Sequence, residues 1–127
     1  MAIQPNCQDV ELKDQGKVGF DIEPNKVLAW LVAGEVVLID VRETAEYQEG
    51  YISGALLCPL STFQPKLFPC FPGKRVVFHC AAGQRSAAVC RKLKQIGYQG
   101  DFFNMSGGMR EWKALGLELG DVFTNAA

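Results

Sequence analysis

The stretch of sequence that most restricts the fold is Glu35–Val41, which reads EVVLIDV. Its residues are almost all β-branched or aliphatic, and polar and apolar side chains do not alternate along it. A strand with one face in water shows such alternation, whereas a near-continuous apolar run is typical of a strand buried on both faces. The chain therefore needs other elements to cover both sides of this strand.

Short apolar runs predict further strands, and helical patterns separate them. Strands are expected near Ala55–Leu57, at Val76–Phe78 and within DFFNM, with a short edge strand near Lys17–Phe20. Strands that alternate with helices over 127 residues predict one α/β domain with a small, mainly parallel sheet. In such sheets, ligands bind beyond the carboxyl ends of the strands.

Two of the predicted helices carry a clear apolar stripe. The first begins at Pro24 and ends at Gly34, and its stripe comprises Val27, Leu28, Leu31 and Val32. The longer one runs from Ser86 to Ile96, and its apolar face comprises Val89, Cys90, Leu93 and Ile96. RETAEYQEG and GGMREWKALG predict two shorter helices. Residues 61–74, which are rich in proline, predict a loop with one helical turn.

Composition limits the partners that the chain can have. Thirteen Lys and Arg nearly balance fourteen Asp and Glu, so we expect no nucleic-acid partner and no membrane surface. The N-terminus lacks the features of a secretory signal, and no apolar segment is long enough to span a bilayer. We therefore expect a cytoplasmic protein. Its organisation is predicted as a partly ordered arm (residues 1–20), a domain (residues 21–120) and a tail (residues 121–127).

Metal and cofactor sites are not expected. The chain has five cysteines but no CxxC pair, and it has one histidine, so the usual ligand spacing of a zinc site is missing. In a reducing compartment most of the five cysteines should be free thiols.

Cys80 lies where a buried strand gives way to a helix, in the segment VVFHCAAGQRS. Small residues let the following loop curl with backbone N–H groups pointing inward, and the helix start adds partial positive charge. Arg85 adds a full positive charge. Such a ring stabilises a thiolate and holds an anion, so we interpret Cys80 as a reactive nucleophile. The predicted substrate-binding residues follow it directly: Ala81, Ala82, Gly83, Gln84, Arg85 and Ser86.

The histidine and the other thiols are interpreted differently. Adjacent strand residues point to opposite faces, so the His79 ring should face away from Cys80. We expect a hydrogen-bonded structural histidine and not a general base. Cys58 and Cys90 are expected to pack against apolar neighbours, and Cys70, in a proline-flanked loop, is the best candidate for an exposed second thiol.

Three segments resemble the signatures of the rhodanese-like domain family, in its single-domain sulfurtransferase form. LIDVRETAEYQEGYISGA resembles the N-terminal signature, FHCAAGQRSAAV the active-site loop and GGMREWKALGLEL the C-terminal signature. Together they extend over residues 22–119. Tyr51 stands where the family usually has a histidine, a departure that concerns local packing and not the nucleophile.

The resemblance implies a sheet flanked by helices on both faces and a catalytic Cys80 that carries sulfur as a persulfide. It assigns residues 81–85 to the anion-binding loop, and it makes Asp40 and Arg42 supporting residues of the site. The implied small-molecule partners are a donor such as thiosulfate and an acceptor such as cyanide or a thiol. A protein is a further candidate for either role.

Two alternatives to a thiosulfate sulfurtransferase stay open. Related domains that act on phosphate or arsenate have one more residue between cysteine and arginine, whereas four residues separate Cys80 from Arg85 here. This spacing favours sulfur transfer over a phosphatase-like or arsenate-reducing enzyme. A relay or binding module that serves a protein partner also fits, because Arg85 carries the only charge in the loop.

Overall fold

A five-stranded parallel sheet forms the centre of residues 21–119, the part of the chain that the computed structural model describes. In chain order the strands are β1 (Asp21–Ile22), β2 (Val36–Asp40), β3 (Leu56–Leu57), β4 (Arg75–His79) and β5 (Phe102–Met105). Their spatial order is β1-β5-β4-β2-β3, and every neighbouring pair is parallel. The predicted arm, with its strand near Lys17–Phe20, and the predicted tail lie outside the described residues.

The described residues contain four α-helices: α1 (Pro24–Ala33), α2 (Thr44–Gln48), α3 (Gln84–Gln95) and α4 (Gly108–Ala114). Three of them bury side chains against the two faces of the sheet, whereas α2 buries none. On one face, Val27 of α1 and Trp112 of α4 join the core. On the other face, Val89 and Leu93 of α3 join a second core cluster. The predicted α/β fold with helices on both faces is therefore confirmed. None of the described helices has the length and apolar character needed to span a bilayer.

The apolar sequence of β2 follows from its central position between β3 and β4. Leu38 belongs to the core on one face and Ile39 to the core on the other, and both are almost fully buried. At the carboxyl end of the pair, Asp40 of β2 lies opposite His79 of β4. Cys80 is the next residue, so the thiol stands at the edge where ligands bind in parallel sheets.

Helix α3 begins earlier than the sequence predicts. Its first residue is Gln84, two positions before Ser86, because the chain turns into the helix at Gly83, whose φ is 99°. Gln84 and Arg85 thus belong to the first turn of the helix and not to the loop.

Two residues of the predicted apolar stripes lie at helix ends and are exposed. Val32 of α1 is 81% exposed and Ile96, just after α3, is 43% exposed. The proline-rich loop also differs from the prediction, since it contains two short 3-10 helices, Leu60–Thr62 and Pro65–Leu67. Phe68 holds this loop to the core, where its ring packs against Phe78.

Candidate active site

The Cys80 Sγ atom lies inside a ring of hydrogen-bond donors at the carboxyl end of β4. The Gly83 N–H donates to it across 3.1 Å, and both the N–H and the hydroxyl group of Ser86 lie 3.4 Å from it. The left-handed conformation of Gly83 is one that glycine adopts without strain, and it allows this tight approach of the backbone to the sulfur. Cys80 is only 1% exposed, so these donors largely replace water around the thiol.

The ring of donors favours the thiolate form of Cys80. Burial raises the pKa of the thiol, but hydrogen bonds from Ser86 and from the N–H groups of Ala82 and Gly83 outweigh burial. The pKa of Cys80 therefore lies below its ordinary value. By contrast, burial alone raises the pKa of Cys58.

Ser86 also links the cysteine to a second buried polar residue, Asn104 of β5. Ser86 Oγ lies 2.5 Å from Asn104 Oδ1. Asn104 Nδ2 donates to Asp21 Oδ1 at 3.1 Å and to the Gly83 carbonyl oxygen at 3.4 Å. Both of these partners are acceptors, so the amide nitrogen must face them and the amide oxygen must face Ser86.

Arg85 reaches this region as one half of an ion pair. Its Nη1 and Nη2 atoms donate to Oε1 and Oε2 of Glu46 on α2, each at 2.9 Å. This bidentate contact lowers the pKa of Glu46 to about 2 and raises the pKa of Arg85. The guanidinium also interacts electrostatically with Cys80, so an incoming anion meets Arg85 together with a carboxylate. No sequence pattern predicts that Glu46 is the partner of Arg85.

The start of helix α4 is hydrogen-bonded to the loop that contains Cys80, and this contact explains the second glycine of the C-terminal signature. The Met109 N–H donates to the Cys80 carbonyl oxygen at 2.8 Å, and the Arg110 N–H donates to the Ala81 carbonyl oxygen at 2.9 Å. Gly108 has a φ of 54°, and a Cβ atom there would overlap the Cys80 carbonyl oxygen. A glycine at this position is therefore required for α4 to approach the loop.

The two predicted supporting residues form a buried ion pair at the end of β2. Arg42 Nε donates to Asp40 Oδ1 at 3.0 Å, and Arg42 Nη2 donates to Asp40 Oδ2 at 2.8 Å. Arg42 also donates to the Gly50 carbonyl oxygen at 2.8 Å. These contacts tie the end of the strand to the segment that follows α2. Neither Asp40 nor Arg42 is among the groups that donate to Cys80 Sγ.

His79 is buried on the other side of β4 from Cys80. Phe78 and Cys80 belong to one core cluster, whereas Val77, which shares a face with His79, belongs to the other. His79 Nδ1 lies 3.4 Å from the Cys80 carbonyl oxygen, and Nε2 lies 3.6 Å from Asp40 Oδ2 without a hydrogen bond. Burial lowers the pKa of His79, so the ring is held neutral. The geometry fits a structural residue whose second nitrogen is unsatisfied.

Gln84 and the other thiols are not among the groups that donate to Cys80 Sγ. Gln84 is exposed and, with Ala82 and Gly83, lines a cleft of about 480 Å³ beside the loop. Cys90 is fully buried on α3, as predicted. Cys70 was wrongly predicted to be an exposed thiol, since it is half-buried and disulfide-bonded.

Sequence reasoning missed three residues that the structure brings to the site: Glu46, Asn104 and Gly108. A signal existed for Asn104, because a polar residue inside the apolar strand DFFNM needs a hydrogen-bond partner. Among the described residues, no cluster of three or more His, Cys, Asp or Glu side chains could hold a metal ion.

Comparison with known proteins assigns the family. Residues 23–115 match the model of the Rhodanese-like domain, and the chain belongs to this family. It is 34% identical over 85 residues to a protein named Sulfurtransferase from Allochromatium vinosum. The aligned residues make up 67% of this chain and 78% of that protein. It is also 35% identical over 82 residues to the Uncharacterized protein slr1261 of Synechocystis, and these residues make up 65% of this chain and 45% of that protein. The chain thus spans less than half of the length of the second relative.

A solved structure supports the same class. The Thiosulfate sulfurtransferase from Pseudomonas aeruginosa superimposes with a TM-score of 0.69 at 28% identity, over 80% of this chain and 20% of that chain. The fold, the family model and these names define a rhodanese-family domain of the sulfurtransferase type.

Proposed function

We propose that this protein moves sulfane sulfur from a donor to a nucleophilic acceptor through a persulfide on Cys80. The observation that carries the proposal is the ring of donors from Gly83 and Ser86 around Sγ. It stabilises a nucleophilic thiolate without a general base, and the same N–H groups can hold the terminal sulfur of a persulfide. The substrate-binding segment is residues 81–86.

The reaction has two steps. The Cys80 thiolate first attacks the outer sulfur of a donor such as thiosulfate. A bond forms between Sγ and that sulfur, the sulfur–sulfur bond of thiosulfate breaks, and its electron pair leaves with sulfite. An acceptor such as cyanide or a thiolate then attacks the terminal sulfur, and the electron pair of the broken bond returns to Sγ as the thiolate.

Mass spectrometry and steady-state kinetics test this proposal together. After incubation with thiosulfate, the peptide containing Cys80 should gain the mass of one sulfur atom. Cys80→Ser should fold, lack this adduct and lose sulfur transfer. Cys58→Ser is the matched control and should keep both. Comparable turnover by Cys80→Ser would refute the assignment.

A second candidate differs in the donor. Because Glu46 shares the charge of Arg85, the site offers less net attraction to a dianion such as thiosulfate than a free guanidinium would. This supports a relay in which a thiol persulfide, small or carried by a protein, loads Cys80. We also propose a cytoplasmic location, where acceptor thiols and Cys80 stay reduced; the disulfide at Cys70 is then an exception to the usual state of cytoplasmic cysteines.

The two candidates are separated by comparing kcat/KM for thiosulfate, for a small-molecule thiol persulfide and for an aryl phosphate. The relay predicts that the persulfide is the better donor, whereas a thiosulfate enzyme predicts the reverse. Turnover of the aryl phosphate should be negligible. Efficient phosphate hydrolysis that depends on Cys80 would contradict both candidates.

A further inference from the structure

The hydroxyl group of Ser86 has one proton and two acceptors within reach. Asn104 Oδ1 lies 2.5 Å from Ser86 Oγ, and Cys80 Sγ lies 3.4 Å from it. A hydroxyl group donates one hydrogen bond, so it cannot donate to both acceptors at once. All three residues are at most 5% exposed, so water has little access to donate a hydrogen bond to the acceptor that the hydroxyl group leaves.

Asn104 is held so that its amide oxygen stays available to Ser86. Its nitrogen is fixed by two acceptors, Asp21 Oδ1 and the Gly83 carbonyl oxygen. Rotation of the amide by half a turn would place its oxygen against both of them, which is electrostatically unfavourable. The oxygen therefore remains an alternative acceptor for the Ser86 proton at every stage of a reaction at Sγ.

We propose that Asn104 is a positioning residue for sulfur transfer, because its amide oxygen takes the Ser86 hydrogen bond whenever Cys80 Sγ loses its negative charge and gives it back when the thiolate returns. This inference rests on the proposed persulfide cycle. When Sγ attacks a donor, the charge moves outward to the terminal sulfur, and Sγ becomes a weak acceptor. The hydroxyl group then rotates to Asn104, and no proton leaves the site.

Removal of the Asn104 oxygen should bias the site toward the thiolate. In Asn104→Leu the hydroxyl group has no alternative acceptor and stays on Sγ. A hydrogen bond to a charged group of this kind lowers the pKa of Cys80 by about one unit. A less basic thiolate is a weaker nucleophile, and a Brønsted coefficient of about 0.4–0.5 makes loading with sulfur about threefold slower.

A double-mutant cycle tests the competition. The pH dependence of iodoacetamide alkylation at Cys80 is measured for wild type, Asn104→Leu, Ser86→Ala and the double variant. Asn104→Leu should lower the midpoint by about one unit, and Ser86→Ala should raise it. In the Ser86→Ala background, Asn104→Leu should change the midpoint by less than about 0.2 units. The control is Asn25→Leu, the same substitution at an exposed position of α1, and it should leave the midpoint unchanged.

The cycle distinguishes competition for a proton from simple loosening of the loop. A loosened loop would shift the midpoint equally with and without the Ser86 hydroxyl group, and that outcome overturns the proposal. A higher midpoint in Asn104→Leu with Ser86 present also overturns it. If Asn104→Leu does not fold, as judged by thermal melts, Asn104→Ala is read in the same cycle. Alkylation does not require turnover, so failure of this proposal is separate from failure to form a persulfide.

Discussion

Two arginine–carboxylate pairs lie near the carboxyl ends of the central strands, and they differ in burial. Asp40 and Arg42 pair at 2.8 Å with side chains that are 0% and 6% exposed. Glu46 and Arg85 pair at 2.9 Å with side chains that are both 35% exposed. The contacts are chemically alike, and both involve two guanidinium nitrogen atoms. Their surroundings decide what each pair contributes.

The same type of contact stabilises the fold where it is buried, but it adds little stability where water reaches both partners. If one partner of a buried pair is removed, the other is left charged in a medium that cannot solvate it, and the cost is several kcal/mol. At the half-exposed pair, water solvates whichever partner remains, so the expected cost is small. The half-exposed pair can therefore be mutated without unfolding the protein, and in it Glu46 offsets the charge of Arg85.

The largest expected effect comes from breaking the buried pair. Asp40→Ala leaves Arg42 buried without its carboxylate, and we expect a loss of about 3–5 kcal/mol in the free energy of unfolding. Urea denaturation followed by circular dichroism measures this. The control is Asp40→Ala combined with Arg42→Met, which should recover part of the loss because no charge is left unpaired. A loss below about 1 kcal/mol in the single variant is typical of a surface pair, and it would mean that burial does not make Asp40 and Arg42 depend on each other.

Arg85→Ala should affect catalysis more than stability. It removes the cation near the thiol and leaves Glu46 to repel an anionic donor. Loss of a charged hydrogen bond of about 1.5–3 kcal/mol from the transition state lowers kcat/KM for thiosulfate by roughly ten- to a hundredfold. Arg85→Lys keeps the charge without the planar fork and should lie between the two. Thermal melts check the fold, and an Arg85→Ala rate within about twofold of wild type, or about 0.4 kcal/mol, would mean that Arg85 does not act on the donor.

Glu46→Gln should have the opposite sign for the same donor. It removes the compensating carboxylate and leaves Arg85 free to attract a dianion, so kcat/KM for thiosulfate should rise by about three- to tenfold, equivalent to roughly 0.6–1.4 kcal/mol. A thiol persulfide ionises to a monoanion, so the rise in kcat/KM with that donor should be smaller than with dianionic thiosulfate. Kinetics at low and high ionic strength measure the effect, because screening should shrink it. A fall in thiosulfate activity would show that Glu46 acts by positioning Arg85 and not by tempering its charge.

The sequence predicts the sheet well, because the burial of a strand shows in the residues of that strand alone. EVVLIDV and VVF are apolar at nearly every position, and both become central strands. Helix ends were predicted less well. The stripes continue to Val32 and Ile96, yet both residues are exposed. A periodic pattern marks the face that a helix turns to the core, but it does not mark where the neighbouring core ends.

In the site, too, contacts between residues close in the sequence can be predicted, and contacts between distant residues cannot. Cys80, Gly83 and Ser86 lie within seven residues of one another, so a turn and a helix start are enough to predict their meeting. Asn104 lies 18 residues from Ser86, and Glu46 lies 39 residues from Arg85. Those contacts depend on the order of strands in the sheet and on the course of α2. The spacing of residues in the sequence predicts neither the strand order nor the course of α2.

The smallest expected effect is the pH dependence of the exposed pair. The pKa of Glu46 is about 2 in the folded protein, below the ordinary value of 4.5, because Arg85 and the Glu43 backbone stabilise its charge. A lowered carboxylate pKa stabilises the fold above the unfolded value, and this contribution is lost as pH falls from about 4.5 through about 2. For a half-exposed pair it should be at most about 1 kcal/mol.

The measurement is the difference in free energy of unfolding between wild type and Glu46→Gln, taken at pH 6 and again near pH 2. Wild type should be slightly more stable at pH 6, and most of this difference should be lost near pH 2. His79 acts in the same direction, since burial lowers its pKa and its contribution is lost as pH falls below about 6.5. Both proteins contain His79, so its effect cancels in the difference. An undiminished difference near pH 2 would mean that Glu46 stabilises the fold by packing and not by its charge.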